Sequence, residues 1–335
     1  MSNAWQTFIE DYPVTTATGQ SALSDLSHFS LLKFSGSDAE QFLQGQLTND
    51  IKLLTEEHSH LTGYCSAKGR LLAIFRAFRH DDAFYLQAPT EIIDSLQKRL
   101  QMFIMISEVK LEAVSDQLPS FGLMGDAATT LLQAHFSQLP KDANSVIHDG
   151  DTTLIRHPGS LPRYQIIAPL EPLKSLWKKL ESKADVVNGS AWSQADIKAG
   201  IPNIYQSTQE KFVPQMVNLH LIDGVSFTKG CFVGQEVVAR MQYLGTQKRN
   251  MYLATLSSNE RPQAGDALFS ATNQSTQGAG TIVDSAGTDG EHQLLIVIQN
   301  ELADKNDVQL SENGPKLDIK QLPYKHLSSS TPTTE

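Results

Sequence analysis

Apolar and polar positions along this 335-residue chain follow two periods, and the period changes at definite places. Residues 30–34 form a short extended run. After Gly36, residues Ala39, Phe42, Leu43 and Leu47 recur at three- and four-residue steps, the spacing of one helix face. Ser37 and Glu40 fit a capping box at its start, and Asn49-Asp50 closes it. Residues 61–65 and 71–79 read as strands joined by a turn at Lys68-Gly69-Arg70, and Asp81-Asp82 leads into a third strand at 83–87. Ile92, Ile93, Leu96, Leu100 and Phe103 return to helical spacing before a strand over about 107–114. The block from about 50 to 115 thus reads β-β-β-α-β, an antiparallel sheet with helices on one face.

Weaker signals of the same kind follow. Strands are expected at 121–124, 153–156 and 164–168, and helices at 127–136, 172–182 and 191–199. Beyond about Gly245 the helical spacing vanishes. Short strands at 250–257, 267–270, 280–284 and 293–299 alternate with Gly- and Asn-bearing turns, the grammar of a small β-barrel or sandwich. The Ser/Thr-rich stretch at 328–335 reads as a flexible tail.

Composition sharpens this. The length predicts more than one domain, and 40% apolar with 19% charged residues is a globular composition. No apolar run approaches the ~18 residues of a membrane helix, and no signal peptide is visible at the start. Cys65 and Cys231 are too few for a disulfide framework and suit a reducing cytoplasm. A net charge of −10 argues against coating nucleic acid by bulk charge, while leaving room for a local basic face.

The chemistry concentrates at Lys229-Gly230-Cys231-Phe232-Val233-Gly234-Gln235-Glu236. Gly230 and Gly234 bracket a turn, and a helix is expected to begin near Gly234. A cysteine ahead of a helix start feels the positive end of the dipole, and Lys229 adds positive charge if it points the same way; both favour thiolate, and Glu236 opposes them. The competing reading is a buried apolar cysteine at a loop–helix junction. With one other cysteine and no Cys/His cluster, no metal site is expected.

This octet closely resembles the Lys-Gly-Cys-aromatic-x-Gly-Gln-Glu signature of the YgfZ family, in the superfamily of the glycine-cleavage T-protein. Phe42 to Asp50, Tyr64 to Arg70, Trp192 with Asp196-Ile197-x-Ala199-Gly200-Ile201-Pro202, and Pro214-Gln215-x-x-Asn218-Leu219 extend the resemblance over roughly residues 20 to 300. It implies an α+β fold of three domains in a ring: two interleaved antiparallel α+β domains (1–49 with 116–244, and 50–115) and a C-terminal β-barrel (245–327). It implies folate as ligand, as tetrahydrofolate or a one-carbon derivative, with contacts from Phe29, Trp192, Asp196 and Arg240. Phe29 stands where close relatives have Trp; Phe keeps the flat face and loses the indole N–H. Read without the family, Trp192 is a core anchor.

The resemblance further implies a monomeric cytoplasmic accessory protein that supports Fe–S enzymes or Fe–S assembly proteins, and through them tRNA modification such as thiolation. It carries a link to regulation of replication initiation. Cys231 would be the reactive thiol, flanked by Lys229 and Glu236, with Gly230, Phe232, Gly234 and Gln235 shaping the motif. The alternatives are a folate-dependent aminomethyltransferase and a non-catalytic RNA- or protein-binding module. The T-protein pattern wants an aspartate just after Gly69-Arg70, where this chain has Leu71-Leu72-Ala73-Ile74-Phe75. Without that carboxylate, a classical transferase is not expected. Lys68, Arg70, Arg76 and Arg79, with Arg240, Lys248 and Arg249, are candidates for holding a folate tail or a tRNA phosphate, or are a solvated surface scatter.

Overall fold

The computed structural model describes residues 4–16, 19–245, 247–272, 278–288 and 290–324, so the expected tail at 328–335 lies outside the described residues. The first elements are α1 (Ala4–Ile9), β1 (Ala22–Asp25), β2 (Phe29–Ser35), α2 (Ala39–Gln46), β3 (His60–Cys65), β4 (Leu71–His80), β5 (Ala83–Pro89), α3 (Thr90–Ile104) and β6 (Lys110–Ala113). Next come β7 (Ser120–Met124), α4 (Ala128–Gln133), β8 (Val146–Asp149), β9 (Thr152–Arg156), β10 (Arg163–Ile167), α5 (Leu170–Leu180), β11 (Asp185–Val187) and α6 (Gly189–Lys198). The remainder is α7 (Gln235–Leu244), β12 (Arg249–Ser257), β13 (Ala267–Leu268), β14 (Gly280–Thr288), β15 (Glu291–Gln299), α8 (Asn300–Lys305) and β16 (Asp318–Lys320). The fold is α+β. None of its described helices is long and apolar enough to cross a membrane.

The chain divides into two compact units. The first comprises Met1–Gln44, Ile51–His60 and Phe75–Asp196; the second comprises Gly45–Asp50, Leu61–Ile74 and Ile197–Glu335.

In the first unit, a six-stranded sheet runs in the order β11-β1-β7-β10-β9-β8, all antiparallel except the β1–β11 pair. Its strands obey the period of two. Tyr164 and Ile166 face one side, where Leu23, Phe121 and Leu123 meet the buried Leu173, Leu176, Trp177 and Leu180 stripe of α5 and Trp5 of α1. Arg163, Gln165 and Ile167 face the other. On that side Ile167 joins Leu31, Phe78 and Tyr85 in a second cluster. Those residues come from a further antiparallel set, in which β2 lies between β5 and β6 and β5 pairs with β4 from Arg76 onward. The block 50–115 is therefore not a closed sheet, because β2 is inserted from upstream. The Ser37 hydroxyl donates to Glu108 rather than into the helix start, and Gly36 (φ +108°) lies where a Cβ would overlap the Glu108 carbonyl.

In the second unit, a five-stranded antiparallel sheet of order β13-β14-β15-β12-β16 curls as a half-barrel. Both faces are covered, which explains the unbroken apolar run 294–298. Leu294, Ile296 and Ile298 enter one cluster with Ala254 and Leu302, while Leu295 and Val297 enter another with Cys65, Leu71, Phe212 and Phe232. Short α8, six residues long, interrupts a region whose pattern carries no helical signal. The six-residue α1 was likewise invisible in the sequence pattern, although it places Trp5 in a core.

Candidate functional site

The Cys231 segment is built by three stretches of the second unit that are far apart in sequence: Gly45–Asp50, the β3–β4 hairpin and residues 224–244. Thr48 knits them. Its N–H donates to Gly63 O (2.9 Å), its hydroxyl donates to Gly224 O (2.7 Å) and accepts from Gly63 N–H (2.7 Å), and its carbonyl accepts from Ser226 N–H (2.9 Å). Asn49 Nδ2 donates to the carbonyls of Leu61 (3.0 Å) and Asp223 (2.6 Å). Val233 N–H reaches Gly45 O at 3.2 Å.

Two glycines then meet face to face. Gly234 is the N-cap of α7 with φ +82°, and a Cβ there would stand 2.5 Å from Ser66 O. Gly69, at the hairpin turn with φ +68°, leaves no room for a Cβ beside Val237 (2.8 Å). Left-handed backbone and close approach both demand glycine at these two positions. Gly230 differs: a Cβ there meets nothing within 4 Å.

Cys231 lies on the loop before Gly234 and is exposed, whereas Cys65 in β3 is fully buried and burial pushes its thiol up to about 12. Lys229 does not serve the sulfur as a free cation. It is 7% exposed, and its Nζ donates to the carbonyls of Leu47 (2.6 Å) and Asn49 (2.8 Å), 5.4 Å from the Phe232 ring centroid. Burial lowers its pKa to about 8, partly opposed by Asp50. Phe232 is buried in the core, Gln235 begins α7, and Glu236 and Arg240 are exposed along that helix. Nothing in the sequence spacing announces Leu47 and Asn49 as the acceptors for Lys229. The signal lay in the polar Thr48-Asn49-Asp50 exit of an apolar helix.

The other predicted contacts lie in the first unit. Phe29, in β2, is half-buried and forms part of the wall of a cavity of about 140 Å³, together with Gln87, Thr90, Ser115 and Ser120. Trp192, in α6, is fully buried. Its ring sits on Gly122, where a Cβ would overlap it, lies edge-on to His157, and carries the Arg163 guanidinium at 4.9 Å. Arg163 in turn pairs with Asp196 at 2.8 Å, both side chains being buried. The Trp192 ring is thus covered by Gly122, His157 and Arg163, and Asp196 is ion-paired with Arg163 in the interior.

The basic residues divide as well. Lys68, Arg240 and Lys248 are exposed, and Arg70 donates to Lys211 O at 2.7 Å. Arg249 donates to Gly278 O and Arg79 to Asp81 O. Arg76, expected at the surface, is 5% exposed. The run Leu71–Phe75 after the hairpin turn is core throughout, at 0–8% exposure, so no carboxylate stands at that position. Among the described residues no group of three His, Cys, Asp or Glu side chains is arranged to hold a metal ion.

The family model for the GCVT N-terminal domain matches residues 3–151. The tRNA-modifying protein YgfZ of Colwellia psychrerythraea is 33% identical over 306 residues, 90% of this chain and 93% of that protein. Among solved structures, the glycine cleavage system aminomethyltransferase T from Bartonella henselae aligns with a TM-score of 0.73 at 17% identity, covering 95% of this chain and 88% of the other. At that identity the likeness shows the fold.

Proposed function

Because the chain belongs to the family of the tRNA-modifying protein YgfZ, we propose that it is a cytoplasmic folate-binding accessory protein that supports Fe–S enzymes, including those that thiolate tRNA, with Cys231 as its reactive thiol. The observation that carries this reading is the presentation of Cys231: an exposed sulfur on a turn whose shape is held by Gly234, Gly69 and Thr48, beside a cysteine-free surface. Lys229 holds the loop by tying its ammonium to two backbone carbonyls of the Gly45–Asp50 stretch. Such a loop needs no rearrangement to offer the thiol to an electrophile or an oxidant.

Folate supplies a one-carbon carrier when bound. Phe29 suits one edge of a pterin, since its ring lines a cavity whose other walls carry hydroxyl and amide groups. At about 140 Å³ that cavity is smaller than the roughly 300–1,000 Å³ that encloses drug-sized ligands, so it takes part of such a molecule. Trp192 and Asp196 act on this region through the packing of α6. The aminomethyltransferase alternative has the fold in its favour, but the core run after Arg70 leaves nothing to manage a proton at the transferred carbon.

The deciding experiment is rescue of tRNA thiolation and Fe–S enzyme activity in cells lacking the protein. Wild type restores both, and Cys231→Ser, folded and equally abundant, restores neither. Full rescue by Cys231→Ser overturns the role given to the thiol.

A further inference from the structure

The cavity of about 140 Å³ in the first unit holds a polar side chain that the fold leaves unused. Strand β5 is central, hydrogen-bonded to β4 on one side and to β2 on the other. Its backbone edges are therefore taken, and a residue of β5 reaches a cavity through its side chain. Gln87 lines this cavity. In the ladder it stands opposite Leu31, so its side chain leaves the face shared by Leu31 and by Phe29, two residues earlier on β2. On that face Leu31 clusters with Ile167 of the six-stranded sheet, and both line the same cavity.

Gln87 is 8% exposed, yet its carboxamide makes no hydrogen bond to any described residue. Neither of its polar atoms is sealed in the interior, so the group opens on the cavity. The wall's hydroxyls differ, being already engaged: Ser30 with Thr90 (2.9 Å), Ser115 with Leu31 N–H (2.8 Å) and Ser120 with Gln165 (3.3 Å).

The charge of the wall narrows the choice of ligand. No Lys, Arg or His is among the lining residues, and the one carboxylate, Asp116, is at an exposed position. What the buried part of the wall offers is neutral: a carboxamide, with donor and acceptor side by side in one plane, near an aromatic ring. A buried amide with neither end satisfied is costly until a partner fills it. A ligand group that satisfies both ends at once carries a carbonyl next to an N–H in one plane, which is a lactam.

We propose that Gln87 reads the lactam edge of a planar heterocycle. Its Nε2–H donates to the ring carbonyl and its Oε1 accepts from the adjacent ring N–H, with Phe29 beside the ring. The proposal rests on the folate reading above and deepens it: in folate the lactam is the carbonyl and N–H of the pterin. It makes a neutral amide, and not an ionic contact, the group that selects the ligand.

The test compares folic acid with folic acid methylated at that ring nitrogen, by titration calorimetry on the full chain. Wild type is expected to prefer the unmodified ligand by about tenfold or more, since methylation leaves Oε1 unpaired. Gln87→Met keeps the length and removes both polar ends; its affinity for folic acid should fall about tenfold or more, and the preference should vanish. A side chain that only shaped the fold would weaken both ligands alike. Without ligand, Gln87→Met should unfold at or above the wild-type midpoint, because no hydrogen bond is removed. Absence of a preference in wild type overturns the proposal, and so does a preference that survives in Gln87→Met or a variant too unstable to fold. Equal binding of folic acid by wild type and Gln87→Met leaves the folate reading standing and removes Gln87 from it. Failure of wild type to bind folic acid removes the reading itself, and this assignment with it.

Discussion

The Cys231 loop and the Trp192 cluster both stand out in the sequence as motif-bearing segments, and the structure shows that they do opposite things. Around Cys231 the invariable demands are backbone ones: Gly234 and Gly69 at positive φ in mutual contact, Thr48 making four hydrogen bonds, Lys229 bonded to two carbonyls. All that construction leaves one side chain, the thiol, exposed. Around Trp192 the demands are those of an interior. Gly122 clears space for the indole, Arg163 covers it and Asp196 neutralises Arg163. A motif can mark what a fold displays or what it hides, and burial separates the two cases.

The largest expected effect follows from the hidden case. Trp192→Ala should cost about 3–5 kcal/mol of stability, the range for truncating a buried Trp, read by denaturant unfolding. A variant as stable as wild type that has lost folate affinity would instead make Trp192 a ligand contact, and the contrast would collapse.

The displayed case predicts a difference between two glycines. Gly234→Ala forces a Cβ into the left-handed region and against Ser66 O, and should cost at least ~1–2 kcal/mol. Gly230→Ala, with open space around it, should be within ~0.5 kcal/mol of wild type. Equal effects would remove the argument that the turn is held by the Gly234–Gly69 contact.

A smaller effect comes from Lys229. Its folded pKa of about 8 lies below the ~10.4 of an unfolded lysine, so between those values the unfolded state binds more protons and stability rises with pH. Below about pH 8 the cost of burying the ammonium is present in full. Lys229→Met should flatten that rise, measured as the difference between wild-type and variant stabilities from pH 7 to 10.5. An unchanged difference across the window would show that the ammonium is not desolvated.

What the sequence made legible was local. The alternation in 61–87 and the helical spacing from Ile92 to Leu100 are properties of contiguous residues, and β3, β4, β5 and α3 stand where that spacing puts them. The insertion of β2 between β5 and β6 pairs strands some fifty residues or more apart, which no window of periodicity contains. The six-residue α1 and α8 are too short to show a helical period. The octet around Cys231 was visible as a string, yet the acceptors of Lys229 come from Leu47 and Asn49, about 180 positions upstream. Arg76 could have been noticed: a charge inside the apolar run 71–78 of a strand is out of place at a surface, and the structure buries it.

The account depends most on the claim that Cys231 is displayed and Cys65 is hidden, and iodoacetamide labelling at neutral pH tests it most directly. Each cysteine is replaced by Ser in turn and the rate on the remaining thiol is followed by mass. Cys231 should label fast and completely in the folded protein, while Cys65, at 0% exposure and with its thiol pushed up to about 12, should label only as the protein unfolds. Labelling of Cys65 at the rate of Cys231 in the native protein would contradict the account.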